Sequence, residues 1–120
     1  MKYLCLIYDE ERDWDAMPRA QADAWLAECL AAGDEIEAGG HLLAGEALQP
    51  VATATTVRIR NGKLSTTDGP FAETREQLGG FYLIEARDLD EAIRLAAKIP
   101  AARTGCIEVR PVVDFGAQPA

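Results

Sequence analysis

Residues 53–96 read TATTVRIRNGKLSTTDGPFAETREQLGGFYLIEARDLDEAIRLA, and the changes of pattern within them decide the fold. In TATTVRIR, residues 53–60, Val57 and Ile59 alternate with Arg58 and Arg60, the period of a half-buried strand. Asn61-Gly62 follows at once. Both residues tolerate the positive φ angles of a tight type I′ turn, so Lys63–Thr66 is predicted to return as the second strand of a hairpin. FYLIEA, residues 81–86, is a further strand, rich in side chains that pack on sheets. Asp88 and Glu91 then stand at capping-box spacing, and Leu89, Ile93 and Ala96 share one face of the helix they open.

The outer parts of the chain complete the pattern. KYLCLIY, residues 2–8, is a compact apolar strand that ends in the charged DEERD. From about Pro18 the period changes: Trp25, Cys29, Ala32 and Ile36 form one helical stripe, with possible endings at Gly33 and at Gly39-Gly40. Leu42 and Leu43 suggest a short strand, and CIEVRPVV, residues 106–113, a last one with Pro111 at an edge. Strand, helix, strand, hairpin, strand, helix, strand is the order of an α+β ferredoxin-like sandwich carrying an added β-hairpin. The sheet face turned away from the helices is apolar enough to predict burial against a second copy, hence a homodimer.

With 120 residues and no Pro/Gly/Ser linker, one domain is expected over residues 1–115, with a short tail at 116–120. The formal charge of −8 opposes phosphate neutralisation, so neither nucleic acid nor an anionic membrane is an expected partner. The apolar start is too short for a secretory core or a membrane span, and Cys5, Cys29 and Cys106 show no paired spacing. Buried thiols and a cytoplasmic location are the expectation. One histidine and no acid cluster at ligand spacing leave no metal site, and no phosphate-binding or dinucleotide loop marks a cofactor.

The candidate chemistry lies in TTDGPFAETREQLGG, residues 66–80. Asp68 fits a turn in which its carboxylate accepts following backbone N–H groups, and Thr74 with Gln77 fits a short capped helical turn ending at Gly79. The alternative is a site. Asp68 and Glu73 would converge as acid and base, with His41, the one side chain that titrates near neutrality when unshifted, at the edge of the same cleft. Arg75 or Arg110 would orient a small organic anion.

MKYLCLIY at residues 1–8, the run from Ala44 to Ala96 and IEVRPV at residues 107–112 resemble the YCII-related family, in its branch named for the Asp-Gly-Pro-Phe motif, here Asp68–Phe71. The resemblance covers roughly residues 1–115. It implies ferredoxin-like domains that pair into dimeric α/β barrels. Some family members present a His and an Asp in a cleft, but the first helix here has Asp23 and Trp25 without a His, and the later Asp-Pro pattern meets Lys98-Ile99-Pro100. The block the branch shares also includes Glu46, placed with the ligand-binding candidates, as well as Gln77, Gly79, Gly80 and Arg110. Two functions follow as expectations. The first is a small-molecule-binding dimer, in enzymatic form a cofactor-free proton transfer or lyase-like step, with its cleft at the Asp68–Gly80 connection. The second, implied by the association of branch relatives with extracytoplasmic-function sigma factors, is a regulatory module with a sigma-factor-related protein partner.

Overall fold

The computed structural model describes residues 1–117. Strand β1 (Lys2–Asp9) leads through the acidic loop to helix α1 (Arg19–Ala38), then strand β2 (Leu42–Ala47). The predicted hairpin follows as β3 (Thr55–Arg60) and β4 (Lys63–Asp68). After the connection come β5 (Gln77–Glu85), α2 (Leu89–Ala96), the short α3 (Ala101–Thr104) and β6 (Cys106–Pro111). Of the tail expected at 116–120, residues 115–117 make a 3₁₀ turn and the last three lie outside the described residues.

The main sheet has the order β2-β5-β1-β6, with every neighbouring pair antiparallel. That is the ferredoxin-like arrangement the element order predicts. The expected barrel is not formed. The four-stranded sheet is open, with β2 and β6 as its edges, and β3–β4 make a separate two-stranded sheet. Closure needs strands at both edges to find partners, and the hairpin, the one further pair of strands, bonds only to itself.

The core lies between the sheet and the helices. Tyr3 and Cys5 of β1, Ile84 of β5 and Ile36 of α1 are buried there, with Ala92, Leu95 and Ile99 from the second helical region. Burial of Ile36 or Ile84 contributes about 1.5–3 kcal/mol each. The stripe predicted on α1 is the one that faces inward: Trp25 and Cys29 are half-buried, Ala32 and Ile36 buried. Of the face predicted for α2, Ala96 is buried but Leu89 and Ile93 are each about half exposed; Ala92 and Leu95 complete the side that meets the core, so the helix is rotated from the predicted phase. Cys5 is buried, and desolvation pushes its thiol up to about 11, whereas Cys106 is exposed, contrary to the buried-thiol expectation.

Helix α1 runs through Gly33 for a reason visible in β5. The Tyr82 ring lies over Gly45 of β2, where an added Cβ would meet its Cδ1 at 2.3 Å, and its hydroxyl reaches Gly33, 2.9 Å from where a Cβ would stand. Two missing side chains make room for one aromatic ring. Asn61 and Gly62 take φ +53° and +74°, the type I′ turn expected between β3 and β4.

Side chains on the other sheet face meet no helix. The register aligns Glu46, Phe81, Leu6 and Glu108 across the four strands, and Ala44, Leu83, Leu4 and Arg110 in the next row. An apolar quartet therefore sits between Glu46 at one edge and the Arg110–Glu108 pair, 2.6 Å apart, at the other.

Candidate functional site

The connection from Asp68 to Gln77 contains bends and no helical turn, so the expected Thr74 capping box does not form. The Thr74 hydroxyl donates instead to the Glu76 carbonyl at 2.6 Å, and the Gln77 amide nitrogen donates to the Thr74 carbonyl at 2.5 Å. Gln77 is thereby free to begin β5. Its amide oxygen accepts the Glu11 N–H at 3.0 Å, and the Glu11 carboxylate accepts the Val51 N–H at 2.9 Å. These bonds form a polar belt that ties the exit of β1, the turn after β2 and the connection together.

On one side of the belt is a cavity of about 510 Å³, within the usual range for small-molecule sites. Tyr8 and Leu78, adjacent in the β1–β5 register, lie at its sheet end. Leu48, Pro50 and Val51 wall it from the turn after β2, and Pro70, Phe71 and Ala72 from the connection. Gly69 takes φ +100°, and its N–H donates to the Ala54 carbonyl at 2.7 Å, fixing where the connection leaves β4. Phe71 lines the cavity yet remains 81% exposed. The lining is chiefly hydrocarbon, with Tyr8, Gln49, Thr53, Thr74 and Gln77 as its polar residues and no charged side chain.

On the other side of the belt is a polar groove of about 440 Å³ lined by Asp9, Glu10, Glu11, Arg12, Arg75 and Glu76 among others. Most of its charges are already engaged. Asp9 accepts from Arg12 at 2.9 Å and from the Thr104 hydroxyl at 2.7 Å, and the Arg12 guanidinium stacks 3.9 Å over the Trp25 ring. Arg75 donates to Glu10 at 2.9 Å.

The six residues singled out from the sequence do not converge. Asp68 ends β4 opposite Thr55 and is exposed, and its carboxylate accepts no hydrogen bond among the described residues, so the expected turn cap is not made either. Glu73 is exposed beyond Ala72. Neither lines the apolar cavity. His41 lies at the opposite end of β5, where its Nδ1 donates to the Glu85 carbonyl at 2.8 Å. Eight residues of strand, about 26 Å, separate Glu85 from Gln77. Glu46 and Arg110 occupy opposite edges of the open sheet face. Among the described residues no cluster of His, Cys, Asp and Glu could hold a metal ion.

Tyr8, Leu78, Glu11 and Val51 were not legible as site residues. Only Tyr8 left a signal, as the residue that continues the Leu4–Leu6 alternation onto the open face.

The description of the YCII-related domain matches residues 1–116. The chain belongs to this family. An uncharacterised protein of Rhizobium meliloti (strain 1021) is 37% identical over 117 residues, 96% of this chain and 94% of the relative. Among solved structures, the 5-chloro-2-hydroxyhydroquinone dehydrochlorinase of Burkholderia phenoliruptrix AC1100, in complex with 2,5-dihydroxybenzoquinone, is similar over 99% of this chain and 100% of that one. The TM-score is 0.49 and the identity 16%, so neither ligand nor reaction passes from that neighbour to this chain. No helix among the described residues is long and apolar enough to cross a membrane.

Proposed function

We propose that this YCII-related protein, a member of the Asp-Gly-Pro-Phe branch, binds a small, neutral, largely apolar molecule in the cavity between Tyr8 and the Pro70–Ala72 segment. The observation that carries this reading is the composition of the lining: hydrocarbon walls with a few hydrogen-bonding groups and no cation. A carboxylate in such a cavity would lose hydration and gain no charge partner, so the lining favours a neutral ligand over the organic anion first expected. Asp68 and Glu73 flank the walling segment and would act on a bound molecule only after the connection moved toward it.

The protein functions in this reading as a homodimer, with a second copy covering the Leu4, Leu6, Phe81 and Leu83 face. Those side chains are half-buried in a protomer, and covering the area they still expose would contribute roughly 25 cal/mol per Å2. The alternative of a sigma-factor-related partner places the informative residues on an exposed surface, whereas the volume beside the connection favours a ligand. Ligand-observed NMR with phenol and indole, repeated with benzoate, tests the binding reading. Binding of the neutral probes that is lost in Phe71→Ala supports it. Benzoate binding in their place overturns the neutral class, and no binding by any probe overturns the site.

A further inference from the structure

The β3–β4 hairpin is built as an arm. Its two strands bond to each other along their whole length, and neither extends the main sheet. The Cα radius of gyration is 16.9 Å, against about 14 Å for a compact domain of this length, and the molecule measures 56 × 44 × 19 Å.

One face of the arm carries Val57, Ile59 and Leu64, which are 60%, 64% and 69% exposed. Ile59 and Leu64 are cross-strand partners, so the three side chains form one apolar strip. Arg58, Arg60 and Lys63 alternate onto the other face, where Arg60 and Lys63 are partners in register. No carboxylate pairs with any of these cations among the described residues. An isolated two-stranded hairpin is at best marginal in water, and this one leaves its apolar side chains wet.

We infer that the hairpin is a dimerisation arm that packs its apolar strip against a second copy of this chain, and this inference rests on the homodimer proposed above. Two observations select that occupant. The first is charge. The whole chain carries −8, while residues 53–67 hold three cations and no acid, so the remainder carries −11. Two such bodies repel, and an arm of opposite sign laid on the partner offsets that repulsion. The second is position. Thr53 and Ala54 at the base of the arm line the same cavity as Tyr8 and Leu78, so the arm is rooted beside the open sheet face that the second copy is proposed to cover.

The test is sedimentation equilibrium of the full chain, wild type beside the triple variant Val57→Ser, Ile59→Thr, Leu64→Ser and the single variant Leu6→Arg. These arm residues contribute nothing to the core, so the triple variant retains the wild-type circular dichroism. The expected result is a wild-type dimer, with dissociation constants raised at least tenfold by both variants. A wild type that is monomeric at every concentration overturns the homodimer and the arm together. A dimer weakened by Leu6→Arg but unchanged by the triple variant overturns the arm alone. Hydrogen exchange on the wild type gives a second readout independent of mutation: arm amides protected at high concentration and unprotected on dilution support the arm, and equal exchange in both overturns it.

Discussion

The Gln77 amide oxygen accepts the backbone N–H of Glu11 at 3.0 Å, joining the first residue of β5 to a loop 66 positions earlier in the chain. Through the other end of the same amide the connection is held at the Thr74 carbonyl. One side chain therefore ties the connection that lines the apolar cavity to Glu11, which lines the polar groove.

Gln77→Ala removes these bonds and the longer one from the same amide nitrogen to the Arg75 carbonyl, at a half-buried site, and a loss of about 1–2 kcal/mol is expected from urea denaturation. Gln77→Glu keeps the acceptor for Glu11 but not the donor to Thr74, so its cost should be intermediate. Both changes should weaken phenol or indole binding, because the cavity wall loses its tether. Wild-type stability in the alanine variant would show that the belt holds nothing.

Gly45→Ala should destabilise the protein by about 1–3 kcal/mol, since the new methyl overlaps the Tyr82 ring and the ring is held on its far side against Gly33. The same substitution in a Tyr82→Leu background should cost less. A double-mutant cycle that shows simple additivity would separate the two residues.

Asp68→Asn should leave stability within about 0.5 kcal/mol of wild type, because the carboxylate is exposed and caps nothing. Probe binding should also be unchanged. Loss of binding without loss of stability would return Asp68 to the site and require the connection to close over the cavity.

Glu91 is held below the ordinary carboxylate range by the Arg87 N–H that bonds it at 2.8 Å, with the Arg87 guanidinium, His41 and Arg94 adding to the effect. A depressed folded-state value means that the charged form stabilises the fold. That contribution is fully present above the unfolded carboxyl value, roughly pH 4.3, and is lost as pH falls through the lower folded value. Glu91→Gln should therefore lower Tm at pH 7, and the two proteins should approach one another at the acid end. A difference that persists unchanged to low pH would assign the effect to packing.

Structure is legible in the chain wherever a local pattern has one physical solution. Asn61-Gly62 dictates a type I′ turn because few other residue pairs accept two positive φ angles in succession. Trp25, Cys29, Ala32 and Ile36 share a helix face whatever they pack against. Asp88 caps α2 through the Glu91 N–H at 2.9 Å, as the spacing required.

What escaped the sequence depended on which distant segments meet. Thr74 and Gln77 have capping-box spacing, but Glu11, far back in the chain, supplies the N–H that draws the Gln77 amide into a strand. Leu89 and Ile93 share a helix face with Ala96, yet the side that meets the core is Ala92, Leu95 and Ala96, a rotation set by what the sheet offers and not by the spacing. Asp68, Glu73 and His41 were candidates by residue type. The register of β5 then placed His41 at one end of the sheet and the connection at the other, a separation that no local spacing encodes.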